Sequence, residues 1–572
     1  MKDLSSEHRA LLAGVLAMVV IIAWSLLYKP PPPPKPGPQA PAAQTTGKSA
    51  GTPAPPASAA LATAAVAAPV SAAPRAAGEE KTIVVENGLY RVEFSNRGAV
   101  VRSWQLKKYT DDHKPPHILD LVHADAAQSG GWPFSLVLDD PQLESAANSA
   151  LFEVTPVATS LEAPAEIQFD WSNGHLAVSK RIQFDRSYMV QVETSVVLDG
   201  KPLAHSVAWR GGFGDITAYM PAEQVQVFYS SGGKLQMLPY KKLGVPDQPA
   251  QRQRREGTFD YVGIEDRYFA AAFLPRAGSS SGLVLWDWKL EHETQQDGKT
   301  VKEPVAEMAA GETSPGPLSL RLFAGPKNLD DLKRINPPLS ALVEFGWLEF
   351  IAAPLFYLLR WLHLYVPNYG WAIVVMTVLI NMVLFPLKVK SWRSMQKMQK
   401  AMPEVKAIQE RYKKYSLRDP RKQEMNKEVM AVYQREGINP MGGCLPMALQ
   451  MPIWFGLYRM LNVTIELRHA PWFGWVRDLS ARDPYYVLPV LMGVTMYVMQ
   501  KMTPTTASDP GQQRMMNMMP LLFGGMFIVF PVSSGLVLYI LSSNLVGMAQ
   551  QWYLNRTAPI TVKAPRGKMD KK

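Results

Sequence analysis

One stretch decides how this chain is organised: residues 370–388, GWAIVVMTVLINMVLFPLK. Its apolar run is long enough to cross the roughly 30 Å hydrocarbon core of a bilayer. About fifty mostly polar residues follow, and the chain becomes apolar again over residues 441–461. We therefore predict two transmembrane spans, 370–388 and 441–461, joined by a polar segment.

The polar segment, residues 389–440, is predicted to be a basic helical hairpin. Apolar residues recur every three or four positions from Met395 to Tyr415 and from Met425 to Val432, which gives each helix one apolar stripe. Pairing these stripes leaves a cationic outer face, although a solvated hairpin that only fixes topology would show the same pattern. The face would include Lys397, Lys400, Lys406, Arg411, Lys413, Lys414, Arg421 and Lys422.

Three positions set the expected ends of the hairpin helices. Pro403 should kink or end the first helix, because proline removes a backbone donor. Asp419 followed by Pro420 is typical of a helix start, and Gly437 is typical of a helix end.

The chain's net charge of +11 is concentrated beside the apolar spans, since residues 388–440 alone carry a net +8. Lys and Arg accumulate on the cytoplasmic side of membrane proteins. The charge therefore indicates membrane topology, with ribosomal RNA as a possible partner of the hairpin.

The N-terminal part contains an apolar segment and a spacer. Residues 1–28 are predicted to be an uncleaved transmembrane anchor, with a cleaved signal peptide as the alternative. Residues 29–79 are rich in Pro and Ala, which stiffen the chain without forming a core, so this segment is a semi-extended linker.

Residues 80–325 show the period-two alternation and turn residues of an all-β domain, for which we predict a large antiparallel β-sandwich. Neither paired carboxylates nor a metal-spaced histidine cluster stands out, so we predict no metal, no cofactor and no catalytic site. A structural or partner-docking role is expected. The single cysteine, Cys444, has no partner for a disulfide and is expected to be a packing residue.

Residues 340–364 form an amphipathic pattern with charges interspersed. A span here would put the basic hairpin on the same side of the membrane as the β-domain, against the positive-inside bias. An interfacial helix is therefore predicted, with Trp347 and Trp361 at the level of the lipid headgroups.

Three more apolar segments follow, at 485–501, 515–531 and 534–553, before a basic cytoplasmic tail at 554–572. The predicted fold is a multi-domain membrane protein, with an α-helical core of five spans, an N-terminal anchor span and the β-sandwich outside the membrane. Six spans place both termini on the side of the basic hairpin, the cytoplasm, and the β-domain in the periplasm.

Polar residues on separate spans fall at similar depth. From a rise of 1.5 Å per residue, Asn381 lies roughly 9 Å from the cytoplasmic end of its span, and Gln450 and Asn544 about 12 Å from theirs. Hydrogen bonds that only join helices are one explanation. A hydrated pocket open to the cytoplasm is the other, and Thr377, Thr495 and Ser543 would share it.

A series of motifs in one order resembles the YidC membrane-protein insertases. The similarity is dense from about residue 346 to 551, and the anchor, linker and β-domain match the layout of the long bacterial form. The motifs are NPMGGCLP (439–446), QMP (450–452), ELR (466–468), DPYYVLPVLMGVT (483–495), QKMTP (500–504) and GLVLY (535–539).

This resemblance implies that the protein inserts new proteins into the bacterial inner membrane and helps them fold, without being an enzyme. Expected partners are nascent membrane proteins, the Sec translocon, the ribosome, the signal recognition particle machinery and the lipid bilayer. Clients would slide along a hydrophilic groove open to cytoplasm and lipid. The expected groove residues are Thr377, Asn381, Gln450, Met451, Trp454, Thr495, Tyr539, Ser543 and Asn544.

The chain departs from the family at Asn381, where many members carry an arginine that would attract acidic client tails. We therefore expect wetting by uncharged amides and hydroxyls to replace charge attraction. Asn381→Leu should slow the insertion of polar tails, and Asn381→Arg should be tolerated. The turn before Gly535 is also longer than usual, and Ile540 stands where an aromatic residue is common.

Two other classes of function fit parts of the pattern. A secondary transporter would also have polar residues within its spans, although no internal repeat is evident. An intramembrane hydrolase would need a base near Cys444, but His363 and His469 are predicted at the outer interface.

Overall fold

The computed structural model describes residues 73–557 except 216, 218–224, 246–247, 249, 277–282, 297–298, 313–314, 344, 416–418, 439–444, 504–517, 521, 523 and 528–531. The predicted anchor 1–28, most of the linker 29–79, Cys444, much of the span at 515–531 and all but the start of the tail 554–572 lie outside this part.

The first half of the described chain is built from β-strands, as the period-two alternation predicts. Buried and exposed side chains alternate along several strands, because successive residues point to opposite faces. In chain order β1 to β20 are Thr82–Glu86, Tyr90–Ser95, Val100–Thr110, Ile118–Asp120, Leu136–Val137, Glu153–Thr155, Ser160–Glu162, Ala165–Ser172, Leu176–Phe184, Met189–Leu198, Lys201–Pro202, Ser206–Trp209, Gln226–Ser231, Lys234–Pro239, Gln253–Glu256, Tyr261–Glu265, Phe269–Pro275, Leu283–Gln296, Lys299–Glu312 and Leu318–Pro326.

These strands form three sheets rather than a simple two-sheet sandwich. The sheet orders are β4-β3-β2-β1-β7, then β14-β13-β16-β17-β20-β10-β9-β8-β6 with β11 beside β10, and β15-β18-β19-β12-β5. The pairings are antiparallel apart from the parallel pair β1 and β7. Alternation predicts strands but not their partners, so sequence alone could not give this topology. Aromatic side chains, among them Trp104, Phe134 and Trp209, fill the core.

Helices dominate the second half. In chain order α1 to α9 are Ala124–Gly130, Pro141–Ser149, Leu329–Arg334, Glu349–Tyr365, Tyr369–Arg411, Arg421–Arg435, Leu445–Val463, Val487–Met502 and Ser534–Thr557, and short 3₁₀ turns cover Tyr240–Lys242, Ser340–Leu342, Gly346–Leu348 and Ile465–Leu467. A further apolar helical stretch runs from Met518 to Phe527.

The longest helix, α5, continues from the predicted span 370–388 into the predicted hairpin 389–440 without a break. Asn368 begins it by accepting a hydrogen bond from the backbone N–H of Trp371. Pro403 does not end it. Apolar residues on both sides of that proline pack against α6, which offsets the lost backbone hydrogen bond.

Helix α4 has the two-faced character expected of the interfacial helix at 340–364. Leu355 and Leu359 are buried, whereas Phe350, Trp361 and Leu364 are exposed. The side chain of Trp347, the other expected anchor, lies outside the described part.

Of the described helices, α5 is long and apolar enough to cross a membrane by itself, and α8 and the stretch Met518–Phe527 are shorter apolar helices. Helix α9, the last of the predicted spans, packs against both α5 and α8. The number of spans therefore remains a prediction.

The β-domain is bonded to the end of α7 and to the segment that follows it. Arg468 on that segment forms an ion pair with Asp215 and donates a hydrogen bond to the backbone oxygen of Thr110 at 2.6 Å. Arg267 of the β-domain donates to the backbone oxygen of Asn462 at 2.6 Å. Arg468 is almost fully buried, so this contact is part of the fold rather than a surface pairing.

Candidate functional site

The last helix, α9, carries side chains that join the helical core. Tyr539 and Ser543 are four residues apart and therefore lie on one face of α9. Gln450 of α7 donates from Nε2 to the Tyr539 hydroxyl at 2.9 Å, and Asn381 of α5 donates from Nδ2 to Ser543 Oγ at 3.3 Å. One face of α9 is thus bonded to two other helices.

Asn544 makes a third link, because its Nδ2 donates to Thr495 Oγ1 of α8 at 3.2 Å. It follows Ser543 directly, so its side chain points about 100° further around α9. Asn381, Gln450 and Asn544 thus each donate one of the three hydrogen bonds described so far between α9 and another helix, and each bond has a different partner. These bonds are the helix-joining contacts that were one of the two explanations for the shared depth, and the hydrated pocket stays a prediction.

Asn381 is the most buried of the three amides, with 1% of its surface exposed. Its Nδ2 also donates to the backbone oxygen of Thr377 at 2.8 Å, and its own backbone oxygen accepts a hydrogen bond from Gln550 Nε2 at 3.1 Å. The side-chain oxygen Oδ1 remains for a donor from elsewhere.

That donor is the ammonium group of Lys388, which lies 2.6 Å from Asn381 Oδ1. Lys388 also donates to Gln550 Oε1 at 3.1 Å. Both contacts are with neutral groups. Lys388 was predicted only as the end of the span 370–388, and this role was missed. Residues seven apart lie on nearly the same face of a helix and side chains lean toward its N-terminus, so the spacing could have indicated the contact. The uncharged lining expected from the sequence is therefore incomplete.

We call these residues the polar cluster. Asn381 and Tyr539 are buried, and the other six residues are partly exposed. Its members are Asn381, Lys388, Gln450, Thr495, Tyr539, Ser543, Asn544 and Gln550.

The other expected groove residues lie beside the polar cluster, and none of the described hydrogen bonds joins their side chains to it. Thr377 is fully buried and donates to the backbone oxygen of Ile373 on its own helix at 2.7 Å. Trp454 is half-buried and packs against Phe455, and Met451 is 44% exposed.

The two hairpin helices pair through their apolar stripes, with Met398, Val405 and Ile408 of α5 packed against Val432. The outer face is cationic. Its exposed basic side chains are Lys397, Lys400, Lys406, Arg411, Lys413, Lys414 and Arg421, while the side chain of Lys422 lies outside the described part.

Two arginines of this face are already paired. Arg411 bonds to Glu428 at 2.7 Å, and Arg421 bonds to Asp419 at 3.1 Å. The hydrogen bonds from Arg421 hold the pKa of the Asp419 carboxyl below its usual value. The lysines therefore make up most of the charge that is exposed to a partner.

Neither histidine considered for a hydrolase belongs to the polar cluster. The ring of His363 stacks on Tyr369 at 3.7 Å, and His469 bonds to Thr110 and Asp112 of the β-domain. Cys444 lies outside the described part of the chain.

Comparison with known proteins covers nearly the whole chain. Residues 82–358 match the family model described as the YidC periplasmic domain, and residues 361–561 match the model described as 60Kd inner membrane protein.

Individual relatives match over similar lengths. The chain is 34% identical to the membrane protein insertase YidC of Aromatoleum aromaticum, over 96% of this chain and 98% of that protein. It is 31% identical to that of Syntrophus aciditrophicus, over 96% of this chain and all of that protein. Among solved structures, it is similar to an active YidC insertase crystal structure with the first transmembrane domain resolved, at 18% identity and a TM-score of 0.35, over 84% of this chain and 94% of that one.

Proposed function

The chain belongs to the YidC family of membrane protein insertases, and from this premise we propose that its polar cluster receives the polar part of a client during insertion. The protein inserts newly made proteins into the bacterial inner membrane. The observation that carries the proposal is the Lys388 ammonium, held between Asn381 and Gln550 inside the helical core.

A hydrogen-bonding site in the core addresses the main cost of insertion. Each unsatisfied backbone group in hydrocarbon costs several kcal/mol, so a polar tail cannot cross the dry core unaided. Amides and hydroxyls on α5, α7, α8 and α9 can exchange their bonds to one another for bonds to the client. This shortens the dry distance that the tail must cross.

Lys388 adds selectivity for acidic tails. An ammonium has three donors, and two of those of Lys388 point to neutral oxygens. No carboxylate pairs with it among the ion pairs of the described residues. A client carboxylate would be a stronger acceptor than either amide, because its negative charge adds an ionic attraction to the hydrogen bond from the ammonium.

This proposal revises the wetting mechanism expected from the sequence. Asn381 is neutral, but it positions a cation that comes from the next turns of the same helix. Hydrogen bonding by uncharged groups and attraction by a positive charge therefore act at one site. The amide of Asn381 accepts a hydrogen bond from Lys388, and the charge of Lys388 attracts acidic client tails.

The topology and the partners extend the same proposal. Both termini and the basic hairpin would lie in the cytoplasm, where the exposed lysines face the ribosome or the signal recognition particle machinery. The β-domain would lie in the periplasm beside Sec translocon components. None of the relatives supports the secondary transporter alternative.

Site-specific photocross-linking of a stalled client tests the proposal. A photoreactive residue replaces Gln450 or Asn544, and Leu545, which is exposed on α9, provides the control position. The polar tail of the client should cross-link from positions 450 and 544 and only weakly from 545. Equal cross-linking from all three positions would contradict a specific path through the polar cluster.

A further inference from the structure

The loop between β3 and β4 brings together two imidazoles and one carboxylate outside the membrane core. Asp111 follows β3 directly, and His113 and His117 lie further along the same loop. One nitrogen of each ring and one carboxylate oxygen all lie within 4.8 Å of one another. No metal site was predicted here, because the sequence does not show that the loop, which contains Pro115 and Pro116, folds back on Asp111.

The carboxylate is held in place by the loop backbone. Asp111 Oδ1 accepts hydrogen bonds from the backbone N–H of His113 at 3.2 Å and of His117 at 2.8 Å. Its second oxygen, Oδ2, is left facing the Nδ1 atoms of both rings, at 2.6 Å and 3.3 Å. Outer hydrogen bonds that fix a ligand in this way are typical of metal sites.

We propose that Asp111 Oδ2, His113 Nδ1 and His117 Nδ1 bind a divalent transition-metal ion of the Zn²⁺ class. Imidazole suits Zn²⁺, Cu²⁺ and Ni²⁺, whereas Mg²⁺ and Ca²⁺ prefer oxygen ligands alone. Tetrahedral Zn²⁺ with bonds of about 2.0–2.1 Å holds its ligand atoms roughly 3.3 Å apart. The two distances from Asp111 Oδ2 to the ring nitrogens, 2.6 Å and 3.3 Å, are both within about 0.7 Å of that value, and all three ligand atoms lie within 4.8 Å of one another.

The charge and exposure of the ligands suit the binding of a cation. Burial alone would raise the pKa of Asp111, but hydrogen bonds from the backbone and the rings of both histidines bring it to about 2, so the carboxylate is ionised at neutral pH. Both rings are more than half exposed. A metal bound at Nδ1 would replace the hydrogen bond between that ring and Asp111 Oδ2.

Metal binding at this loop would also affect a contact made by the neighbouring residue, Asp112. Asp112 bonds to Nε2 of His469 at 2.7 Å, and His469 belongs to the segment between α7 and α8. A metal bound at Asp111 would order the loop that carries Asp112. It would thereby strengthen the contact between the β-domain and the helical domain.

Metal titration of the full-length protein in detergent tests this inference. Zn²⁺ is measured by calorimetry and Co²⁺ by its visible absorption, in wild type, in the double variant H113A/H117A and in H175A. His175 is the matched control, since it is an exposed histidine bonded to a single carboxylate, that of Asp199 at 2.8 Å.

We expect one Zn²⁺ per chain in wild type and in H175A. Losing even an outer hydrogen-bond partner commonly weakens metal binding by about 10- to 100-fold, so H113A/H117A should bind more than ~100-fold more weakly. Zn²⁺ should also raise the melting temperature of wild type but not of H113A/H117A. Absence of saturable binding to wild type, or equal binding by H113A/H117A, would overturn the site and leave a histidine–aspartate hydrogen-bond cluster only.

Discussion

The ammonium nitrogen of Lys388 lies 2.6 Å from the side-chain oxygen of Asn381, seven residues earlier on the same helix. The two backbones are about 10 Å apart along the axis at a rise of 1.5 Å per residue, so the lysine chain spans the distance by leaning toward the N-terminus. The neutral side chain of Asn381 therefore has the positive charge of Lys388 beside it in the folded protein. The predictions for the polar cluster follow from this pairing.

Lys388→Gln should slow the insertion of clients with acidic tails and leave clients with neutral tails nearly unchanged. The variant keeps a hydrogen-bonding side chain but loses the charge. A hydrogen bond to a charged group contributes about 1.5–3 kcal/mol, so a loss of roughly ten- to a hundredfold in rate is expected. Insertion into proteoliposomes, with a protease-protection readout, measures it. Lys390→Gln, an exposed lysine on the same helix, is the control and should behave as wild type.

Moving the positive charge from position 388 to position 381 should restore the insertion of acidic tails that Lys388→Gln slows. In the double variant N381R/K388Q the guanidinium takes the place of the ammonium, so acidic tails should insert at close to the wild-type rate. N381R alone places two cations side by side, and like charges in close contact are unfavourable. It should insert more slowly than the double variant, which revises the simple tolerance expected from the sequence. A double variant no better than K388Q would argue against a role for the charge.

Gly370→Ala should destabilise the start of α5. A Cβ at Gly370 would lie 2.2 Å from Trp472 Cδ1, closer than side chains can approach. Forcing extra atoms into a packed site costs about 1–3 kcal/mol, so the melting temperature should fall by several degrees. Gly525→Ala is the control, because no described atom lies within 4 Å of a Cβ there. Helix propensity favours alanine over glycine, so it would not lower the stability of either variant. An unchanged melting temperature in Gly370→Ala, or a comparable loss in both variants, would contradict the clash as the cause.

The stability of the β-domain should depend on pH through Lys180. This lysine is fully buried and donates hydrogen bonds to the backbone oxygens of Gly98, Ala99 and Phe134 at 2.7–3.1 Å. Burial lowers its pKa from 10.5 to about 7. Between these two values the unfolded state binds more protons than the folded state. Stability should therefore rise from about pH 7 toward pH 10 and should not change through this group below pH 7.

Melting curves followed by near-UV circular dichroism, which reports the aromatic core, test the sign. The wild-type melting temperature should rise by several degrees between pH 7 and pH 9.5 relative to Lys180→Met, which has no charge to bury. Lys201→Met, at an exposed position of the same domain, should keep the wild-type slope. A wild-type slope equal to that of Lys180→Met would contradict the expected shift.

The sequence was informative wherever one periodicity governs one element. Alternation predicted the β-rich domain, and the stripe from Met398 to Ile408 predicted the hairpin, because each pattern reports which face of a local element is buried. The common depth of Asn381, Gln450 and Asn544, which was estimated from the helical rise, stays a prediction.

Long-range relations could not be predicted in the same way. The parallel pairing of β1 with β7 depends on strands that are far apart in the chain. The continuity of α5 past Pro403 depends on packing against α6, which no local rule contains. Lys388 was missed because a lysine beside an apolar run usually extends toward water, whereas here the side-chain oxygens of Asn381 and Gln550 accept hydrogen bonds from its ammonium group within the core.

Zero-length chemical cross-linking tests the central claim most directly. A carbodiimide joins an amine to a carboxylate only when the two are in contact, so it reports whether the tail of a stalled acidic client reaches Lys388. We predict an amide bond between Lys388 and the client carboxylate in wild type and in Lys390→Gln, and its loss in Lys388→Gln. A cross-link of equal yield in Lys388→Gln, or one formed at Lys390 instead, would contradict the account.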